Sequence, residues 1–432
     1  MSGDPIGTTI LLGVFVLLLV LKVPIALALA AASIGAAMWL DIPLPVIGQR
    51  MTQGLASFPL LAIPFFILAG EIMSAGGISR RLIDLANIII GWLRGGLAVL
   101  NVLASTFFGG ISGSAVADTS SIGSVMIPMM RRAGYDADYS VGVTISSAAQ
   151  GVLLPPSHNM IIYALVAGGG VSIGGLFAAG IVPGLLLGLL LMVVAYVMAR
   201  QRGYPRGERI PAAEMPRIVW QALLGLLTPI IIIGGILSGI FTATESAAIA
   251  VVYAFLVTFV AYREIELRDF ITILARSMRT LATVLFLIAA ASAFGHLLTV
   301  QRIPRDLTVL LTGLSDNPIV ILLIINLMLL ALGAIMDMAP LILITTPILL
   351  PVAMGVGMDP THFGVMLMLN LSLGLITPPV GSVLFVGSAL GDISIEQATR
   401  GVLPFYLPML AALLIITFVP ALSLTLPQSL GF

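Results

Sequence analysis

The chain has 432 residues, of which 59% are hydrophobic and 9% are charged, and its mean hydropathy is +1.16. A soluble domain carries about 25% charged residues, so this composition excludes one and predicts a polytopic membrane protein. The formal net charge of zero and the lack of a basic cluster exclude a nucleic-acid partner, and the lack of cysteine excludes disulfides. Asp4 replaces the basic start of a signal peptide, so we expect the first segment to be retained as a span.

Hydropathy predicts five spans in each half of the chain. In the first half they are 6–21, 24–40, 54–75, 138–166 and 177–199. In the second half they are 217–238, 243–262, 277–300, 363–390 and 402–424.

An extra apolar piece lies between the third and fourth spans of each half, at 95–131 and 317–351. Each leg of these pieces has about 15 residues, or about 22 Å of helix, which is short of the ~30 Å hydrocarbon core. The sequence therefore predicts two re-entrant hairpins. A short amphipathic stretch before each, at 80–91 and 305–316, predicts a helix in the membrane interface, although an ordinary loop is the alternative.

A Pro-Pro pair interrupts the fourth predicted span in each half of the chain. The pairs are Pro155-Pro156 and Pro378-Pro379, and the sequence contains no other such pair. Proline removes a backbone donor and disrupts the preceding turn, so each pair predicts a broken helix. Lipid tolerates such a break where it faces protein or a wet cavity, and paired breaks are typical of the substrate and ion site of a secondary transporter.

The two halves match at an offset of 223 residues. Besides the proline pairs, Gly110 matches Gly333 and Pro128 matches Pro351 at that offset. We interpret 1–205 and 210–432 as two structural repeats, although chance matches are the alternative in a chain with 45 glycines and 26 prolines. Five crossings in each half invert the second copy relative to the first.

The distribution of basic residues predicts the orientation. Sixteen of the 19 fall on one side of this layout, which the positive-inside rule makes cytoplasmic, so both termini are expected to be periplasmic. The sixteen are Lys22, Arg80, Arg81, Arg94, Arg131, Arg132, Arg200, Arg202, Arg206, Arg209, Arg217, Arg263, Arg268, Arg276, Arg279 and Arg400. Arg50, Arg302 and Arg305 fall on the other side.

The hairpin tips carry the residue types that ion and anion binding need. The first tip, 107–121, combines glycines with Ser112, Ser114 and Asp118, and the break that faces it offers freed carbonyls with Ser157, His158 and Asn159. Glycine lets the backbone approach a ligand closely, and the helix that starts near Ala115 presents free N–H groups to an anion. Close helix packing is the alternative reading of the small residues.

Four further titratable residues have predicted roles. Asp337 in the second tip is expected to face a cavity or a cation, because a charge at lipid depth costs at least about 2.5–3.5 kcal/mol. Asp118 binds an ion or bonds the backbone of its own hairpin. Glu245 is expected in a helix cap with Thr242 or Thr244, His362 in a surface loop, and the role of Glu71 stays open.

The sequence resembles the large membrane subunit of TRAP (tripartite ATP-independent periplasmic) transporters. The matching stretches are 109–130 with GGISGSAVADTSSIGSVMIP, 147–163 with SAAQGVLLPPSHNMIIY, 239–250 with GIFTATESAAIA, and 374–381 with GLITPPVG. The resemblance implies an elevator-type fold and uptake of a small organic acid coupled to sodium across a bacterial or archaeal inner membrane. It also implies two partners, a small four-span membrane subunit on a separate chain and a periplasmic substrate-binding protein.

The family pattern implies where sodium and substrate bind. Candidate sodium ligands are Gly110, Ser112, Ser114, Pro155, Pro156, Gly333, Asp337, Ile376 and Pro379. Candidate substrate-binding residues are Ser114, Thr119, Ser157, His158, Asn159, Thr377 and Pro378. His158 is expected to hydrogen-bond rather than to couple protons.

Two other functions are compatible with parts of the sequence. A self-sufficient sodium/dicarboxylate symporter of the related fold would need no binding protein. An intramembrane serine protease would use Ser112 in its Gly-Ile-Ser-Gly run with His158 as base, but the second copy carries Ile335 where Ser112 stands.

Overall fold

The computed structural model describes residues 4–168, 170–207, 210–315 and 317–432, without the side chains of residues 58, 267, 311, 312 and 314. The predicted positions of Arg209 and Asp316 lie outside this description. The described part of the chain is helical, with an isolated bridge between Arg94 and Arg206.

The described residues of the first half form ten α-helices. They are α1 Pro5–Val20, α2 Ile25–Trp39, α3 Leu44–Leu55, α4 Ala62–Ala75, α5 Ile78–Ile90, α6 Gly96–Ser112, α7 Ala115–Arg132, α8 Ala137–Gln150, α9 His158–Ala167 and α10 Ile173–Gln201. A 3₁₀ turn, Phe58–Leu61, leads into α4.

The second half contains ten more among the described residues. They are α11 Met215–Leu237, α12 Ala243–Phe255, α13 Leu267–Val300, α14 Ile303–Leu314, α15 Pro318–Gly333, α16 Met338–Gly355, α17 Pro360–Gly374, α18 Ser382–Gly391, α19 Ile395–Phe418 and α20 Ala421–Ser429. A π-helical segment, Leu256–Tyr262, continues α12.

The chain is an all-α, multi-span membrane protein. Six described helices are long and apolar enough to cross a membrane, and the bent pair formed by α3 with 59–75 makes a seventh. Helix pairs α6–α7 and α15–α16 lie where the hairpins are predicted, and α8–α9 and α17–α18 lie on either side of the predicted breaks. One leg, α16, is among the six helices long enough to cross a membrane, so that the re-entrant course of the hairpins stays a prediction. From α4 and α13 onward both halves contain the same order of elements, as a repeat requires; the inversion of the second copy stays a prediction.

A helix that the sequence analysis does not predict, α3, precedes α4. Two expectations about individual elements were wrong. The last predicted span, 402–424, ends at Phe418, and α20 follows it. His362 is not a surface residue: it lies in the first turn of α17, is 2% exposed, and its Nε2 is 2.7 Å from the Ile416 carbonyl oxygen.

The helices pack into two groups, which we call the outer bundle and the hairpin bundle. The outer bundle comprises α1–α4 and α11–α13, and the hairpin bundle comprises α6–α10 and α15–α20. All residues of α8 from Tyr139 and all of α17 from His362 are buried, so these arms form the centre of the hairpin bundle. Contacts of α4 with α6 and α9, and of α13 with α16, lie where the two bundles meet.

Candidate functional site

The first hairpin tip packs directly on the first helix break. A Cβ on Gly109 would collide with the backbone of Gly151, and a Cβ on Gly113 would overlap the Pro156 carbonyl oxygen and lie 2.7 Å from Ser157 Cα. Gly113 also has a φ of +56°, a left-handed conformation that favours glycine. Glycine at these positions therefore brings backbone carbonyls of the break against the tip.

The second hairpin tip repeats this contact. Gly333 packs on Gly374, and a Cβ on either would lie within 3.1 Å of the other's backbone. The Val380 N–H donates to the Ala334 carbonyl at 3.0 Å, and the Ser382 hydroxyl donates to Asp337 Oδ1 at 3.2 Å. Each tip is thus joined to the break that the sequence paired with it.

One cavity of about 460 Å³ lies between the two tips and the outer bundle. Five of the predicted site residues line it: Ser112, Ser114, His158, Asn159 and Asp337. The outer bundle contributes Gly70, Glu71 and Ser74 from α4 and Arg276, Thr280 and Val284 from α13. The Ser74 hydroxyl also hydrogen-bonds the Ser121 hydroxyl of α7 across the boundary between the bundles.

The other predicted site residues lie behind this lining. Thr119 and Ser157 are fully buried and their hydroxyls have no hydrogen-bond partner in the described structure. Thr377 lies in the break after α17, and its hydroxyl donates to the Leu373 carbonyl of that helix at 2.7 Å. The remaining predicted positions offer backbone atoms and are Gly110, Pro155, Pro156, Gly333, Ile376, Pro378 and Pro379. Of these, Pro379 is exposed, Gly110 and Pro378 are half-buried, and the other four are buried.

The start of α7 points anion-binding groups at the cavity. Ser114 is the N-cap, and its hydroxyl accepts from the Ala117 N–H at 3.4 Å, while Ala115 and Val116 line the cavity. The first N–H groups of a helix have no partner within it and carry a partial positive charge. This end of α7 therefore suits a carboxylate.

Arg276 and Glu71 are the site residues that the sequence analysis missed. Arg276 Nη1 lies 3.8 Å from Glu71 Oε2, and both side chains line the cavity although they belong to different helices of the outer bundle. The sequence places Arg276 among the basic residues of the predicted cytoplasmic side, because it comes just before the predicted span 277–300. The spacing of Arg276, Thr280 and Val284, which puts them on one helix face, is the sequence signal that would have found it.

Asp118 does not bond the backbone of its own hairpin. It is fully buried beside the Ser105 hydroxyl, yet neither carboxylate oxygen completes a hydrogen bond in the described structure. Glu245, in contrast, forms the predicted cap. The Thr242 N–H donates to Glu245 Oε2 at 2.8 Å and the Glu245 N–H donates to Thr242 Oγ1 at 3.2 Å, which closes a capping box at the start of α12.

Comparison with known proteins agrees with this architecture. Residues 12–422 match the family described as "Tripartite ATP-independent periplasmic transporter, DctM component". The chain is 42% identical to the sialic acid TRAP transporter large permease protein SiaM of Vibrio cholerae, over 88% of each chain. It is 44% identical to the C4-dicarboxylate TRAP transporter large permease protein DctM of Pseudomonas aeruginosa, over 87% of each chain.

A solved structure shares the fold at low sequence identity. The YdaH transporter of Alcanivorax borkumensis superposes with a TM-score of 0.63 at 16% identity, over 87% of this chain and 88% of that one. Fold, cavity and relatives together define a multi-pass membrane transporter and not an enzyme. Within that class, the chain belongs to the DctM component family, the large permeases of TRAP transporters.

Proposed function

We propose that this chain carries a small organic acid inward, coupled to sodium, by an elevator movement of the hairpin bundle against the outer bundle. A periplasmic binding protein would deliver the acid and a small four-span subunit would extend the outer bundle. The observation that carries this proposal is the shared cavity, in which both hairpin tips, the start of α7 and Arg276 meet.

Sodium is the cation whose preference for oxygen ligands fits the tips. The first tip and its break offer the Ser112 and Ser114 hydroxyls with carbonyls of the Pro155-Pro156 break. The second offers the Asp337 carboxylate with the carbonyls of 376–379. No group of three or more histidine or acidic side chains suited to a metal occurs among the described residues, so carbonyl and hydroxyl oxygens would supply most ligands.

The substrate class follows from the positive groups that face the cavity. The N–H groups at the start of α7 and the guanidinium of Arg276 favour an anion. Two relatives are named as transporters of sialic acid and of C4-dicarboxylates, both of which are carboxylates. These names support a carboxylate as the substrate of this chain. Sodium at the tips would complete the counter-charge, so that substrate binds after the cation.

The elevator movement is supported by how the site is shared between bundles. The tips and breaks belong to the hairpin bundle, whereas Glu71, Ser74 and Arg276 belong to the outer bundle. If Arg276 lies on the cytoplasmic side, as the sequence predicts, the proposal makes this arrangement the inward-facing one. Movement of the hairpin bundle would carry the tips away from Arg276 toward the opposite face.

Uptake into proteoliposomes tests the proposal. The chain is reconstituted with its small subunit, and uptake of a labelled carboxylate is measured with and without an inward sodium gradient and a loaded binding protein. We expect uptake only when both are present. Uptake with sodium and no binding protein would instead favour a self-sufficient symporter, and uptake that ignores the sodium gradient would contradict the coupling.

A further inference from the structure

A second cavity, of about 580 Å³, lies at the other end of α13 from the cavity described above. Its lining includes Arg50 and Gln53 of α3 and His296 and Thr299 of α13, with Leu343 and Pro347 of α16 forming the opposite wall. It is therefore another place where the outer bundle faces a hairpin. No carboxylate occurs among its described lining residues.

Four pairs of lining residues of the two cavities correspond across the repeat. Gly70, Glu71 and Ser74 line the first cavity, and at an offset of 225 Gly295, His296 and Thr299 line the second. On the hairpin side, Ser120 lines the first cavity and Leu343, 223 residues later, lines the second. The second cavity is thus the counterpart of the substrate cavity in the other half of the chain.

The correspondence changes the charge of the cavity wall. His296 stands where the first half has Glu71, and Arg50 adds a guanidinium whose Nη1 donates to Gln53 Oε1 at 3.2 Å. In the first cavity Glu71 partly neutralises Arg276, whereas in the second the described lining offers Arg50 no acidic partner. The second cavity is consequently the more favourable of the two for a free anion.

The two cavities lie about one membrane thickness apart along α13. Arg276 and His296 are 20 residues apart on one helix, which is about 30 Å at 1.5 Å per residue and about the thickness of the hydrocarbon core. Arg276 is on the predicted cytoplasmic side, so Arg50 and His296 lie toward the periplasm. Gly54 lets α3 lie against α13 here, since a Cβ on it would collide with the Ser292 side chain.

We propose that the Arg50–His296 cavity is an entry site, at which a carboxylate binds before the hairpin tips reach it. The proposal rests on the proposed function for its biological role but concerns a separate site with its own lining. Arg50 would hold the carboxylate by a charge-assisted hydrogen bond, with the Gln53 amide and His296 as further donors. The Ser292 and Thr299 hydroxyls donate to carbonyls of α13 at 2.8 and 3.0 Å, so Arg50 carries most of the attraction.

Single-cysteine labelling tests the entry site without relying on transport. The chain has no cysteine, so Thr299→Cys places one thiol in the second cavity and Thr280→Cys places a matched thiol in the first. A membrane-impermeant maleimide should label Thr299→Cys from the periplasmic face of oriented vesicles. Succinate should slow that labelling several-fold, whereas its neutral isostere succinamide should not.

Arg50→Gln in the Thr299→Cys background should abolish protection by succinate. Arg305→Gln is the control, because Arg305 is an exposed basic residue on the same predicted side outside this cavity and should leave protection intact. Equal protection in the Arg50→Gln variant, or no protection in the parent, would overturn the entry site. Failure of the proposed function would show separately, as loss of sodium-dependent uptake in the unmodified chain.

Discussion

Asp337 illustrates how a single side chain can be located from sequence alone. A carboxylate at lipid depth is costly, and its place in a repeated hairpin tip pointed to a functional role. In the structure it faces the cavity and accepts one hydrogen bond, from Ser382. Its remaining oxygen lone pairs are free to bind a cation.

Replacing Asp337 by Asn should weaken sodium binding. The loss of one charge-assisted ligand is worth about 1.5–3 kcal/mol, so the sodium concentration for half-maximal uptake should rise by about tenfold or more. Ser382→Ala removes the hydrogen bond but keeps the carboxylate, and should raise that concentration less. Sodium titration of uptake measures both variants, and an unchanged sodium dependence in Asp337→Asn would exclude it as a ligand.

Arg276 is a single residue whose place in the cavity the sequence did not predict. A charge that precedes a hydropathic span is assigned to a loop, whereas here α13 begins at Leu267 and carries Arg276 into the cavity wall. Proximity to a tip that lies 61 residues away in sequence depends on packing between the bundles. Local pattern alone does not contain that information.

Replacing Arg276 by Gln should raise the substrate concentration for half-maximal transport. The cavity would lose the guanidinium that lines it together with the start of α7, while the proposed sodium ligands would remain. Arg268→Gln is the matched control on the same helix, since Arg268 is 79% exposed and pairs with Glu266 instead. Substrate titrations at saturating sodium compare the two; equal effects of both changes would mean that Arg276 does not contact substrate.

At the scale of elements, prolines and glycines made the site predictable. The Pro-Pro pairs located both helix breaks, and the Gly/Ser-rich run located the first tip within a residue or two of α6 and α7. The helices α3 and α20 were missed because each is short and adjoins a longer apolar span, and hydropathy detects only the span. The contacts Gly109–Gly151 and Gly333–Gly374 also required the structure, because glycine spacing does not reveal which backbone lies opposite.

Gly113→Ala tests the close contact between the first tip and its break. The new methyl would overlap the Pro156 carbonyl and would also meet the unfavourable φ of +56°. Gly134→Ala is the control, because Gly134 has a φ of +85° with open space around its Cβ position. Sodium-dependent uptake should fall strongly in the first variant and little in the second, and equal losses would point to backbone conformation alone.

A surface contact outside the spans should make stability depend on pH. Asp136 occupies the N-cap position of α8, and its carboxylate accepts hydrogen bonds from the Tyr204 hydroxyl at 2.6 Å and from Arg202 at 2.8 Å. The hydrogen bond from Tyr204, followed by that from Arg202, lowers the pKa of Asp136. The contact thus links α8 to the end of α10.

Because the pKa of Asp136 is lower in the folded than in the unfolded chain, the ionised carboxylate stabilises the fold at neutral pH. This stabilisation is lost as the pH falls through the folded pKa. Asp136→Asn should therefore lower the thermal unfolding temperature at neutral pH and flatten its decline toward acidic pH. Glu396→Gln is the control, since it alters an exposed surface pair with Arg400; the same pH profile in Asp136→Asn and the parent would contradict the assignment.

For the whole molecule, the repeat in the sequence predicted the order of the elements in both halves. The repeat predicted two hairpins, two breaks and a common element order, and the structure has helix pairs and interrupted helices at these positions. It did not indicate which helices would form the opposing wall, because α4 and α13 meet the tips through packing between the bundles. The second cavity is likewise invisible in sequence until the structure places α3 against α13.

Disulfide trapping across the bundle boundary tests the moving hairpin bundle most directly. Ser74 on α4 and Ser121 on α7 touch through their hydroxyls, and the chain has no other thiols to interfere. Ser74→Cys with Ser121→Cys should cross-link on oxidation. Thr8→Cys with Gln301→Cys is the control pair, because Thr8 Oγ1 and Gln301 Oε1 lie 3.5 Å apart within the outer bundle alone.

Sodium-driven uptake before oxidation, after oxidation and after reduction is the deciding measurement. If the hairpin bundle moves past the outer bundle, the Ser74–Ser121 cross-link should abolish uptake and reduction should restore it, while the control pair stays active throughout. Full uptake by the completely cross-linked 74–121 protein would contradict the elevator movement.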